Sequence, residues 1–299
     1  MRKLLEAIKQ QCNFESEQIQ SKIDEYILIV KNIPIDYQYH YKSPELVGFY
    51  KNFELFDYNP FHKMVLLELI KRFDMESISL KLPPMILALY ENEFARIGRL
   101  IEADDDFIFD WKNDLFAKDI GICSGRLLPI GPGLLEVSGV PRILLFKKGI
   151  LQFLKLSYFL LFKLQRYKPI LEIHTHLANV SNFTPKGWDQ AYNIIAEILK
   201  LNPLLSGVMR SSWFIDPEIP SISPKLAYLT EIPLCHGAYV FYDSTEGRNS
   251  GAFARSKSRL LRFENKTYVP KIYFLIWPRD RLIQYKSSPD KQALENSEL

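Results

Sequence analysis

Hydrophobic positions recur at two different spacings along this chain, and the change of spacing divides it. In residues 16–31 (SEQIQSKIDEYILIVK), Ile19, Ile23, Tyr26, Ile27 and Val30 fall on one face at helical spacing. Residues 61–73 and 84–103 repeat the pattern, and Pro84 suits the first turn of the latter helix. From about residue 120 the texture changes. Residues 121–141 (GICSGRLLPIGPGLLEVSGVP) mix short apolar runs with Gly and Pro, which predicts two strands and a turn at Gly131–Gly133. A long apolar helix is expected over 143–166. ILEIHTHL (170–177) reads as a strand. Thr184 then looks like a helix N-cap, with Pro185 at the first helical position. Trp188, Tyr192, Ile195 and Leu199 give that helix its apolar face, and Asn202–Pro203 stops it. LLSGVMRSSWFI (204–215) is a second strand, and Ser223 and Pro224 open a short helix. GAYVFYD (237–243) is a third strand, followed by a helix near 251–263 and a strand over 271–277 (KIYFLIW). The β-α-β-α-β order predicts an α/β (or α+β) fold, with a helical N-terminal part followed by a β-sheet layer covered by helices. Three regions are expected: mostly helical over 1–120, an α/β functional domain over 121–286, and a flexible tail over 287–299.

Composition narrows this picture. The 299 residues are 47% apolar, with 20 Phe, 16 Tyr and 4 Trp, which is enough for a sizeable core. A net charge of +3 argues against a nucleic-acid partner. The cysteines, Cys12, Cys123 and Cys235, include no CxxC pair, which fits a reducing compartment. The opening residues lack the apolar core of a signal peptide, so a cytoplasmic location is expected. Lys147, Lys148, Lys155 and Lys163 interrupt the apolar stretch 143–166 and rule against a transmembrane span. Lys148, Gln152, Lys155, Lys163 and Arg166 fall on one side of it. The expectation is a largely buried helix whose lysine heads reach water. The alternative is peripheral membrane contact through 143–166 on anionic lipid.

Four segments offer chemistry. In Ile173-His174-Thr175-His176, strand alternation would project His174 and His176 together. Over about six residues this resembles the HxH strand of amidohydrolase-type metal enzymes. That resemblance implies zinc or iron held by His174, His176 and a carboxylate such as Asp216 or Asp189. The alternatives are polar histidines lining a cleft, or His174 and His176 as catalytic groups beside Asp216. The loop 178–188 leads into a helix N-terminus, where Thr184, Lys186, Gly187 and Trp188 would meet an anion. Arg210-Ser211-Ser212-Trp213-Phe214-Ile215-Asp216 ends a strand where α/β sheets tend to bind ligands, so Arg210 and Ser212 are pocket candidates. Arg210 and Asp216 would otherwise pair with each other. Ser212 stands outside any GxSxG elbow, which disfavours an esterase. The C-terminal basic residues include Arg255, Arg259 and Arg262, which would share one helix face and hold a phosphorylated ligand or remain a solvated surface, while Glu102 and Asp104–Asp106 form an acidic run read as a solvated loop.

Taken together, residues 170–242 resemble the second half of a GNAT-type acyltransferase. The match runs ILEIHTHL, SNFTPKGW, the helix 185–200, SGVMRSSW, SPKLAYL and GAYVFY. It is a match of element order, and the family's Gln/Arg-x-x-Gly-x-Gly/Ala loop is absent. The resemblance implies a small-molecule substrate and an acyl-CoA or similar phosphate-bearing donor, whose pyrophosphate would lie at 182–188. The leading expectation is an acyl- or other group transferase. A metal-dependent hydrolase or oxygenase and a non-catalytic membrane-surface or partner-binding protein stand as alternatives.

Overall fold

The structure is a computed structural model that describes residues 16–34, 37–52, 58–103, 109, 112–164 and 169–285. Cys12, the acidic residues 104–106, Arg166 and the tail 287–299 lie outside the described residues. The chain forms two compact units. The first comprises the residues up to Ile130 together with Leu134–Ser138, and the second comprises Gly131–Gly133 and the residues from Gly139 onward.

The first unit is helical. It contains α1 (Ser16–Asn32), α2 (Pro44–Asn52), α3 (Tyr58–Lys71), α4 (Met85–Glu102) and α5 (Asp114–Cys123). Two short strands, β1 (Leu128–Pro129) and β2 (Gly133–Ser138), pair antiparallel through Leu128↔Leu135 and Pro129↔Leu134. All five apolar positions read on α1 are buried. Every residue from Phe61 to Ile70 of α3 is buried as well, so α3 is a central helix covered on all sides. Its one imidazole, His62, bonds through Nδ1 to the Phe109 carbonyl at 2.6 Å and through Nε2 to the Tyr50 hydroxyl at 2.9 Å. Gly121–Cys123, read from the sequence as strand, instead end α5. That helix starts where Asn113 Oδ1 accepts the Leu115 amide at 2.8 Å. Pro84 precedes α4 at its cap position. Two clefts of about 330 and 450 Å³ lie in this unit, and none of the candidate residues lines either.

The second unit is layered. Its strands are β3 (Ile170–Thr175), β4 (Gly207–Ser212), β5 (Tyr239–Thr245) and β6 (Lys271–Pro278), arranged in the order β3-β4-β6-β5. β3 and β4 are parallel, and the other neighbours are antiparallel. The helices are α6 (Gly149–Tyr158), α7 (Pro185–Leu201), α8 (Ile219–Ile222), α9 (Tyr228–Cys235), α10 (Lys257–Glu264) and α11 (Arg279–Leu282). Ile170, Met209, Phe241, Phe274 and Ile276 point to one face and pack with Leu144, Leu156 and Phe159. Alternation turns Arg210 and Trp277 to the other face, against Trp188 and Tyr192 of α7. This α/β arrangement is the fold class expected from the element order.

The stretch 143–166 departs from its expectation in two ways. It is not one helix: a 3₁₀ turn (Arg142–Phe146) leads into α6, and a π turn (Phe159–Lys163) ends it, closed by the Leu164 amide on the Phe159 carbonyl at 2.9 Å. Gly149, at a φ of 69°, makes the break before α6 possible, since a side chain there would be strained. Nor is the stretch largely buried. Its polar residue Gln152 points inward, whereas Leu151, Leu154 and Leu161 point outward. Gln152 donates to the carbonyls of Leu144 (2.9 Å) and Tyr242 (2.8 Å) and accepts the Tyr242 amide at 2.9 Å. One amide side chain thus ties α6 to the preceding turn and to β5, and helical periodicity cannot reveal such a tertiary bond. Among the described residues, no helix is long and apolar enough to cross a membrane.

Candidate functional site

The site grows out of a mismatch between strands. β4 pairs with β6 along its whole length, from Gly207↔Pro278 to Ser212↔Tyr273. Its pairing with β3 covers only Leu171↔Val208 and Glu172↔Met209. Arg210 is the first residue of β4 past the last pair, and Ile173 is its counterpart on β3.

Arg210 is 2% exposed. Its guanidinium carbon lies 4.2 Å from the centre of the Trp188 ring and 4.5 Å from that of Phe214, so it is clasped between two aromatic faces. Among the described residues, neither terminal nitrogen, Nη1 or Nη2, has a carbonyl or carboxylate acceptor. Its electrostatic partners are the hydroxyls of Tyr192 and Tyr228, both neutral groups, and no carboxylate is among them. Burial pulls the guanidinium below its ordinary range. The same burial raises Tyr192 and pushes Tyr228 up to about 12. The Tyr192 hydroxyl faces the guanidinium, Trp188 Nε1 is buried without a partner among the described residues, and Tyr228 donates to the Phe183 carbonyl at 3.0 Å. The sequence marked Arg210 and Trp188 but not Tyr192 or Tyr228. Their signal was present, since Tyr192 stands one turn after Trp188 on the face that meets the strand bearing Arg210.

The expected pair between Arg210 and Asp216 does not form. Asp216 accepts the Glu218 amide on Oδ1 at 3.1 Å. Burial holds its carboxyl above the usual range, only partly opposed by that amide and by Lys271. Lys271 in turn is paired with Glu218. Asp216 belongs to the turn after Trp213–Ile215, which carries it away from the strand register.

Of the two histidines, His174 is half-buried near the end of β3, whereas His176 is 1% exposed and lies just past the strand. The His176 amide donates to the Pro132 carbonyl at 3.3 Å, and the following residues form a 3₁₀ segment, Leu177–Asn182. Among the described residues, no three His, Cys, Asp or Glu side chains gather as a metal-ion set. The set His174, His176 and Asp216 required for zinc or iron is therefore not assembled. Asp189, the other carboxylate considered, accepts the Tyr285 hydroxyl at 2.5 Å. Cys123 and Cys235 are free thiols.

At the start of α7, Thr184 is the N-cap, with Pro185 beside it. Its Oγ accepts the Gly187 amide at 3.0 Å and its carbonyl accepts the Trp188 amide at 3.0 Å. Pro185 has no N–H, so the turn offers an anion chiefly the Lys186 amide and the exposed Lys186 ammonium, a narrower cradle than the sequence implied. Gly187 is fixed by close approach, because a Cβ there would lie 2.0 Å from the Asn182 carbonyl oxygen. Gly187→Ala is expected to displace this turn and cost about 1–3 kcal/mol in urea denaturation. Ser212 sits half-buried at the end of β4 opposite Tyr273. Arg259 does not join Arg255 and Arg262 in an open cluster. It stacks on Trp213 at 4.5 Å and donates to the Ala252 carbonyl and to Ser223 Oγ.

No family model matches the chain, and no curated protein matches it. A solved structure similar in outline is that of an acyltransferase mutant in complex with octanoyl-CoA. It is 11% identical, with a TM-score of 0.48, and the match covers 87% of this chain and 77% of that one. The resemblance is one of topology. At this identity it carries neither an activity nor a residue role to the chain.

Proposed function

We propose that the second unit is a group transferase that acts on a small molecule and uses an anionic, phosphate-bearing donor of the acyl-CoA kind. One observation carries the reading: Arg210 is a buried, aromatic-clasped cation with no counter-ion among the described residues, placed just past the last β3–β4 pair. An unpaired buried charge costs several kcal/mol, and a fold retains one where a ligand completes it. In this reading Arg210 receives an acidic group of the ligand. Trp188 and Ser212 form the wall, and Lys186 with the Thr184–Gly187 turn meets a second negative group. His174 or His176 takes the proton of the attacking acceptor, with the more accessible His174 favoured.

Calorimetric titration with acetyl-CoA tests the donor. Saturable binding that weakens at least ~10-fold in Arg210→Met supports it, since loss of a charged hydrogen bond is worth about 1.5–3 kcal/mol. Absence of binding overturns it. Turnover of model amines or alcohols by His174→Ala and His176→Ala tests the base. A loss of about 10²–10⁴-fold in kcat in one of them is expected. Normal turnover by both would remove the histidines from the mechanism.

A further inference from the structure

The segment 142–163 carries a second feature, independent of Arg210. Among the described residues, Phe146 (68% exposed), Ile150 (67%), Leu151 (79%), Leu154 (57%), Leu161 (68%) and Phe162 (63%) are all open to solvent within seventeen positions. A surface helix ordinarily turns such residues inward. Here the orientation is fixed the other way by the three hydrogen bonds of the buried Gln152 side chain, with Leu156 and Phe159 filling the inner side. A contiguous apolar surface of this kind marks a contact with something apolar.

Charge decides the occupant. From Arg142 to Leu164 there is no Asp or Glu, while Arg142, Lys147, Lys148, Lys155 and Lys163 are basic. Lys147 reaches Asp243 at 3.3 Å, Lys148 lies over Tyr242 and Lys155 over Phe241, so these ammonium groups flank the apolar surface on the side of β5. Lys163 is exposed next to Phe162. A second copy of the chain, packed about a two-fold axis, would bring the same lysines together. A bilayer with anionic headgroups instead takes the leucine and phenylalanine side chains into its acyl boundary and the lysines at its phosphates. We propose that residues 142–163 seat this protein on an anionic lipid surface.

Vesicle flotation tests this, with phosphatidylcholine alone and with added phosphatidylserine. The wild type is expected to float with the anionic vesicles at low salt and to be released at high salt. Leu151→Glu combined with Phe162→Glu should reduce the floated fraction at least ~10-fold, because charged residues replace buried apolar area. Both positions are exposed, so the circular dichroism spectrum and Tm should stay as in the wild type. Lys163→Gln, a milder change, should lower the floated fraction and shift the salt midpoint downward. Failure of the wild type to float, or equal flotation of the variants, overturns the proposal. So does a wild-type dimer in sedimentation that the double substitution dissolves, which would assign the surface to a second copy. Donor binding at Arg210 plays no part in these readouts, so either reading can fail alone.

Discussion

Arg210→Met is expected to raise the stability of the ligand-free protein by about 1–3 kcal/mol while weakening donor binding at least ~10-fold. Replacing a buried charge by a packed apolar group of similar volume is neutral or stabilising by ~1–4 kcal/mol where the charge was poorly compensated. Arg210 meets that condition, since among the described residues both terminal nitrogens lack a carbonyl or carboxylate acceptor and its electrostatic partners are tyrosines. Methionine fits between Trp188 and Phe214 and keeps favourable sulfur–ring contact. Urea denaturation with and without acetyl-CoA reads both halves. The wild type should gain stability with the ligand by mass action and the variant should gain less. A destabilised Arg210→Met that still binds acetyl-CoA would make the residue structural and remove the main support for the transferase reading.

Arg96 in the first unit should behave in the opposite way. Its Nε donates to Glu93 Oε2 at 2.8 Å and its Nη2 pairs with Asp119 Oδ1; both carboxylates are buried. Their two charges hold the guanidinium above its ordinary range against the pull of burial. Arg96→Met would remove the guanidinium that pairs with both buried carboxylates. The expected loss is about 3–5 kcal/mol, enough to unfold a marginal unit. Thermal denaturation followed by far-ultraviolet circular dichroism measures it. A change below about 1 kcal/mol would show that the carboxylates have other means of compensation. The two arginines look alike in the sequence, and the difference between them is whether a carboxylate is brought alongside.

That contrast shows how far local pattern reaches. The α1 face, the Thr184 cap of α7 and the core strand of KIYFLIW are set by spacing of three or four, by a hydroxyl three residues before an amide, and by a run of β-formers. Each depends on neighbours within a few residues, and each stands in the structure near where the sequence placed it. The order of these elements is also local information, and it yielded the α/β class. Long-range bonds decided the rest. Gln152 turned a helix read as buried into one with Ile150, Leu151 and Leu154 outward, because Tyr242 lies ninety positions along the chain and offers both backbone groups. Asp216 was drawn away from Arg210 by the amide two residues on. His176 lies one residue past the end of β3, a boundary that the alternating pattern of ILEIHTHL did not mark. Periodicity reports which side of an element is apolar, but only the tertiary structure decides which side is covered and which charge meets a partner, because those depend on groups the pattern does not contain.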